Sequence, residues 1–227
     1  MRIAVVSDVH ANLVALEAVI ADLRQVSPDQ VVCGGDLVVG GPRPEEVVAR
    51  VRRLGWPVVR GNTDEVVSDD RSDQRVGGDV AIAVALTKAA LAADTIAWLR
   101  ELPLEWRGNE VGVVHSAPGD CWKVVGHEAP DVELEETYAP LAAPTAAYGH
   151  IHHPFVRRIG GLTVVNSGSV SLSLDGDVRA TYAVIEDGRV THRRVPYDTE
   201  AVAADLADAG YPATYVEWLR NGAWPSD

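Results

Sequence analysis

The sequence predicts an α/β fold built as an α/β/β/α sandwich, in which two mixed sheets are flanked by helices. Two observations carry that reading. Through residues 2–60 short apolar runs alternate with segments of helical periodicity, the pattern of right-handed βαβ crossovers around a parallel core. From residue 155 onward the runs lie closer together and are joined by short turns, as in antiparallel hairpins. At 227 residues the chain can bury a sizeable core, and a single domain over 1–227 with a helical insertion at about 65–103 is expected.

The elements follow in order. Residues 2–6 are a strand of branched apolar side chains that stops at Ser7-Asp8-Val9-His10. Leu13, Leu16, Ile20 and Leu23 then recur at helical spacing, so 12–25 reads as an amphipathic helix. The strand 30–33 ends in Gly34-Gly35-Asp36, and a helix is expected from Glu45 to Leu54, with Pro44 near its first turn. A third strand, 57–60, ends in Gly61-Asn62-Thr63-Asp64. Residues 69–78 are polar and read as an exposed loop. The segment 79–93 is apolar on nearly every face and needs cover, from the domain itself, as a lid beside a site, or from a second copy of the chain. A short helix follows from Asp94 or Thr95, carrying Ile96, Trp98 and Leu99. Beyond it, 111–114 and 145–148 read as strands and 131–138 as a helix. The later strands are expected at 155–159, 162–166, 180–186 and 189–195, with Asp187-Gly188 as a hairpin turn, and terminal helices at 198–209 and 212–221.

Composition excludes several classes of function. Twenty basic against 33 acidic residues give a net charge of -13, which disfavours general binding to DNA or RNA. Two cysteines, Cys33 and Cys121, make no disulfide framework and fit a reducing compartment. No apolar stretch approaches the roughly 18 residues of a membrane helix, and Asp8 and His10 interrupt the first apolar run too early for a signal peptide. A cytoplasmic protein without membrane contact is therefore expected.

One pattern recurs: an apolar strand stops and a metal-competent side chain follows at once. Asp8 and His10, then Asp36, Asn62, His115, and His150 with His152 all occupy such positions. The carboxyl edge of an α/β sheet is where such folds hold ligands. Carboxylate with neutral imidazole suits a divalent transition metal. Glycines beside several of these positions let the backbone turn sharply and come close to a ligand.

The ordered series Asp-x-His, Gly-Asp, Gly-Asn, His, Gly-His-x-His resembles the calcineurin-like metallophosphoesterase superfamily. More narrowly it is similar to the small prokaryotic phosphodiesterase branch related to the retromer scaffold subunit. Further likeness comes from Trp98-Leu99 with Leu102-Pro103-Leu104, Asn166-Ser167-Gly168-Ser169 and Val195-Pro196-Tyr197-Asp198. The resemblance implies two divalent cations, manganese first and iron, zinc or nickel as alternatives. Asp8, His10 and His152 would hold one, Asn62, His115 and His150 the other, and Asp36 would bridge them. Asp36, His115 and Asn62 would serve catalysis directly, with a metal-bridging hydroxide attacking phosphorus in a small phosphate ester. Two divalent ions against two carboxylates leave a locally cationic pocket for phosphate oxygens. The related scaffold subunit also implies an alternative, a catalytically weak protein-binding module on the same fold. Its warrants here are Thr63 and the 79–93 helix, through which a homo-oligomer could also form.

The chain departs from the family pattern at Thr63, where many relatives carry the histidine assigned to protonating the leaving group. Without it, good leaving groups should be favoured, since acid assistance is worth roughly 10²–10⁴-fold. Substrate contacts are expected from Asn12, which otherwise caps the first helix, from Asp64, which otherwise orients a ligand or lies exposed in a turn, and from His153. His127 and His192 fall outside the ligand frames, and Ala11 stands where relatives often have glycine.

Overall fold

The computed structural model describes residues 1–225, apart from the side chain of Asp73. Two mixed sheets pack face to face. The first has the order β2-β1-β8-β9, with β1 at Arg2–Val6, β2 at Gln30–Cys33, β8 at Ala180–Glu186 and β9 at Arg189–Val195. The second has the order β3-β4-β5-β7-β6, with β3 at Glu105–Arg107, β4 at Val111–Val114, β5 at Thr145–Tyr148, β6 at Phe155–Ile159 and β7 at Leu162–Asn166. β1 with β2, and β4, β5 and β7 together, are parallel; the β1–β8, β8–β9, β3–β4 and β6–β7 pairings are antiparallel. This is the α/β/β/α sandwich expected from the change of pattern along the chain.

Strand alternation divides the core. Ile3 and Val5 of β1 point between the sheets, where they meet Val32, Val111, Val113, Ala147, Val165, Ala183 and Ile185. Their neighbours Ala4 and Val6 point outward, under the helices of the first sheet. Successive strand side chains face opposite ways, so one short run supplies both layers. The first sheet is covered by α1 (Leu13–Val26), α2 (Pro44–Leu54), α7 (Thr199–Asp208) and α8 (Ala213–Asn221). The second is covered by α6 (Asp131–Tyr138), whose Leu134 and Tyr138 sit on Val114, Ala146 and Tyr148.

Three local differences from the sequence reading have clear causes. Residues 57–60 form no strand: Val58 makes a single parallel bridge to Cys33, and the chain leaves the sheet at once. Asn62 opens α3 (Asn62–Ser68) rather than a turn, because the Asp64 carboxylate caps it by accepting from Gly61 N at 3.0 Å. The short strand β3 was hidden in the Trp98 to Arg107 segment, where Trp106 packs at the rim of the inter-sheet core. The 69–78 segment carries a turn of 3₁₀ helix at Asp70–Arg75.

The apolar segment forms α4 (Gly78–Ala90) and leads into α5 (Ala93–Arg100). α4 buries Ala83, Val84 and Thr87 against the first-sheet core, and its exposed face is mainly alanine. Two hydrogen bonds tie it to the C-terminal helices: Thr87 Oγ1 with the Tyr211 hydroxyl at 3.1 Å and Thr214 Oγ1 to Asp79 at 2.6 Å. Among the described residues no single helix is long and apolar enough to cross a membrane. Cys33 and Cys121 are both free and buried, and burial pushes the Cys33 thiol up to about 12.

Candidate metal centre

Loops at the carboxyl ends of β1, β2, β4 and β5, with the start of α3, converge where the two sheets meet. The loops are laced by backbone hydrogen bonds: Asp8 N to Gly35 O at 3.0 Å, His10 N to Asp36 O at 2.9 Å and Gly149 N to His115 O at 2.9 Å. The Asn166 to Ser169 segment buttresses them from behind. Asn166 Nδ2 donates to Gly149 O at 2.5 Å, and Ser169 Oγ sits on the Asp8 carbonyl at 3.1 Å. Ser171 N donates to Asp8 O at 3.0 Å.

The backbone here is unusual. Asp8, His10, Asp36, His150 and His152 all have positive φ, between 48° and 65°. So do Ala11, Val39 and Leu172, at 52°, 64° and 60°. A left-handed conformation costs a side-chain-bearing residue roughly 1–2 kcal/mol, and clusters of such residues mark functional sites. The glycines have a different task. A Cβ on Gly61 would collide with the Asp36 carboxylate, and one on Gly149 would collide with Asp8 and Ser7.

Three histidines are oriented in the same way. His10 Nδ1 meets Val39 O at 2.9 Å, His115 Nδ1 meets Gly34 O at 2.8 Å and His152 Nδ1 meets Leu172 O at 2.6 Å. Each carbonyl takes the Nδ1 proton and leaves Nε2 as the lone-pair donor, the arrangement that fixes a ligand tautomer. The Nε2 atoms then face other acceptors. His10 Nε2 lies 3.1 Å from His152 Nε2 and 3.7 Å from Asp36 Oδ2. His152 Nε2 lies 3.1 Å from Asp8 Oδ1. His115 Nε2 lies 2.9 Å from Asn62 Oδ1 and 3.4 Å from Asp36 Oδ1. His150 Nε2 is buried and has no hydrogen-bond partner among the described residues.

Acceptors directed at acceptors are stable only with positive charge between them. The residues therefore fit a pair of divalent cations, and Asp36 presents one oxygen to each side. Asp8, His10 and His152 lie close enough to hold one ion together, and so do Asp8, Asp36 and His115. Electrostatics agree with this donor set. Burial, then the neighbouring His152, keeps His10 neutral with its pKa near 3; burial and His115 do the same to His150, also to about 3. Burial opposes ionisation of Asp8, yet the imidazoles of His152, His115 and His10 outweigh it and hold the carboxyl well below its ordinary value. Burial pushes Asp36 up against the pull of His115. For His152, burial works against the charged form, but Asp8 outweighs it and raises the pKa above its ordinary value.

The structure thus brings all seven candidate ligands to one place. The three expected substrate contacts lie elsewhere in the local architecture. Asn12 is buried, accepts from Ala15 N at 2.9 Å as the α1 cap and donates to Ser171 Oγ at 3.0 Å. Asp64 is fully buried beneath the ligand loops and accepts from Asp36 N, Leu37 N and Gly61 N at 2.9–3.0 Å. Burial, then Asp36, pushes its pKa up to about 7. His153 stacks on His127 with ring centroids 3.8 Å apart and does not line the cavity at the centre. Thr63 does line it, but its hydroxyl donates to Val38 O at 2.9 Å and its backbone N to Asp36 Oδ1 at 2.9 Å.

Sequence reasoning missed the far wall of the cavity. Val80, Leu172, Leu174, Tyr215 and Trp218 face the ligands across it. In sequence they look like ordinary core residues of α4 and α8 and of the loop after β7, and no motif sets them apart.

Comparison with known proteins gives the same picture. Residues 1–188 match the calcineurin-like phosphoesterase superfamily domain. The chain is 30% identical to the uncharacterized protein MJ0912 of Methanocaldococcus jannaschii, over 96% of this chain and 95% of that one. It is 32% identical to a metallophosphoesterase from Sphaerobacter thermophilus whose crystal structure covers 98% of this chain and 99% of its own, with a TM-score of 0.84. The fold of the hypothetical protein PH1004 from Pyrococcus horikoshii is also similar, with a TM-score of 0.89 at 18% identity and 99% of both chains covered. With its sandwich fold and its Asp/His cluster at the sheet edge, the chain belongs to the calcineurin-like phosphoesterase superfamily.

Proposed function

We propose that the chain is a dinuclear-metal-dependent phosphodiesterase acting on small phosphate esters, with manganese as its activating ion. The observation that supports this most is the convergence of imidazole Nε2, carboxylate and amide oxygen atoms, with the Nδ1–H of His10, His115 and His152 already engaged by backbone carbonyls. Asp8, His10 and His152 would hold one ion, Asn62, His115 and His150 the other, with Asp36 between them. When bound, such a pair supplies Lewis acidity toward the phosphoryl oxygens and lowers the pKa of a water enough for attack near neutral pH.

The chain's own residues prepare this chemistry. Val39, Gly34 and Leu172 carbonyls hold three imidazoles in the tautomer that binds metal. Asp64 pins the Asp36 and Asn62 loops to one another. His10 and His150, held neutral by burial, need lose no proton at pH 7 before serving as ligands. At Thr63 the hydroxyl is engaged with Val38 O, so it gives no acid assistance to the leaving group. Esters with good leaving groups are therefore the expected substrates.

The test uses protein stripped by chelation and reloaded with Mn²⁺, assayed on bis-p-nitrophenyl phosphate. Turnover that returns with the metal and is lost in Asp36→Ala and His115→Ala supports the proposal. Absence of turnover on aryl diesters and monoesters alike, with a stable partner recovered irrespective of chelation, would instead establish the scaffold reading.

A further inference from the structure

We infer that the wall opposite the ligands is a seat for one apolar, ring-sized ester group of the substrate, with Trp218 as its floor and Tyr215, Leu172, Leu174 and Val80 around it. The inference rests on the phosphoesterase reading and adds the substrate class.

The cavity has a volume of about 160 Å³. One side carries the candidate metal ligands and the other carries the apolar wall, so a bound ester must place its phosphoryl group and its organic group in contact with the two sides in turn. An apolar cavity near 150 Å³ accommodates a benzene-sized molecule. The 160 Å³ must also hold the phosphoryl group beside the candidate ligands, so the apolar part takes no more than a single ring and a larger group must project through the mouth.

The wall is preorganised. Trp218 Nε1 donates to Ser173 O at 2.7 Å. Its ring lies 4.9 Å from Trp224 at 74°, and runs nearly parallel to His152 at 5.6 Å and 17°. A ring held by a hydrogen bond and by edge contacts presents area at little entropic cost. Because that nitrogen is engaged, Trp218 gives a substrate hydroxyl no donor. Sugar hydroxyls brought against the Trp218 face would lose water without gaining a partner from it, which is unfavourable. Leu174, which lines the cavity, is 38% exposed, apolar surface that costs free energy in water and is relieved by a bound apolar group. The candidate metal ligands all fall within the residues shared with the superfamily domain, whereas Tyr215 and Trp218 lie beyond residue 188. Helix α8 thus adds a surface of its own to the shared centre, and Asp79 of α4 fastens it through Thr214.

The test is calorimetric titration of the Mn²⁺-loaded full chain with phenylphosphonate and methylphosphonate, whose P–C bonds resist hydrolysis. Phenylphosphonate should bind at least about 10-fold more tightly, the effect of partly burying one ring. Trp218→Ala should cut that ratio to about 2-fold while Mn²⁺ affinity stays within about threefold. Leu174→Ser, a change at the solvent-exposed rim, should lower the ratio in the same sense if Trp218→Ala does not fold. Equal affinities for the two phosphonates overturn the inference, as does a Trp218→Ala protein that loses both ligands and Mn²⁺ in parallel, which would make the ring purely structural. Phenyl preference without any ester hydrolysis would sink only the proposed function. Hydrolysis without phenyl preference would sink only the apolar seat, and failure of both phosphonates to bind would sink both.

Discussion

Gly149→Ala is the sharpest perturbation of the centre, because it adds one methyl group and touches no ligand chemically. Gly149 has no special φ, so the alanine backbone is unstrained there. The cost is all in space: the added Cβ would come well inside 3.0 Å of Asp8 Oδ2 and Ser7 Oγ and just inside it of Ser7 Cβ, separations real Cβ atoms essentially never show. Asp8 is fixed, and Ser7 Cβ can move only with its backbone. Asp8 is fully buried and accepts His150 N at 3.1 Å on each oxygen, while the Ser7 carbonyl holds Val170 N at 3.0 Å. Relief needs a shift of several tenths of an ångström, whereas metal–ligand distances tolerate about ±0.2 Å. Overpacking of this kind costs about 1–3 kcal/mol, roughly 2–12 °C in Tm for a chain of this size. Displacing a ligand carboxylate should weaken Mn²⁺ binding by at least about 100-fold, beyond the range found for changes behind a metal's direct ligands. Titration calorimetry and thermal melts read the two effects. Gly126→Ala, where an added Cβ meets nothing within 4 Å, is the control and should change neither. A Gly149→Ala protein that binds two Mn²⁺ with unchanged affinity would refute the reasoning.

Three further predictions use other parts of the structure. Asp64→Ala leaves the amides of Asp36, Leu37 and Gly61 without their acceptor and should cost about 3–5 kcal/mol; denaturant melts showing under about 1 kcal/mol would contradict it. His150→Gly should be more stable than His150→Ala by roughly 1 kcal/mol in chelated protein, the reverse of the usual order, because φ is 65° there; an Ala variant as stable as the Gly variant would remove the claim of backbone strain. Acid stability should depend on Asp22, which the Arg193 guanidinium holds below its ordinary value of 3.8 at 2.6 Å. A carboxyl depressed on folding contributes stability above pH 3.8 that is lost as pH falls through its folded pKa. Asp22→Asn should therefore be less stable at pH 7 and show a shallower fall in Tm below pH 4; parallel curves for the two proteins would contradict this.

The sequence disclosed the fold through strand composition and turn chemistry. The run Asp187-Gly188 joins β8 and β9 with φ of 49° and 73°, the two-residue turn that such a pair encodes. Most of the ligands were legible because they follow the ends of strands, where an Asp or His leaves a mark in one dimension; Asn62, which opens α3 after a single bridge, is the exception. The reason for the neighbouring glycines was not legible. It lies in carboxylates brought close from distant parts of the chain, Asp36 for Gly61 and Asp8 for Gly149. Asp64 could not be assigned from sequence, since the same residue in an exposed turn and in a buried lock reads identically. At Ala11 the φ of 52° explains why glycine suits the position, since glycine adopts it without steric cost; nothing in the structure explains the alanine. The carbonyls of Val39 and Leu172, which orient His10 and His152, left no trace, because any residue has a carbonyl and only the backbone path aims it. The apolar wall was missed for a similar reason: Trp218 and Tyr215 carry the periodicity of any amphipathic terminal helix.

The most direct measurement is anomalous diffraction at the manganese edge from crystals grown with Mn²⁺. Two peaks about 3.5–4 Å apart, one against Asp8, His10 and His152 and the other against Asn62, His115 and His150, with Asp36 between them, are what the account predicts. A single peak, or peaks away from Asp36, would contradict it.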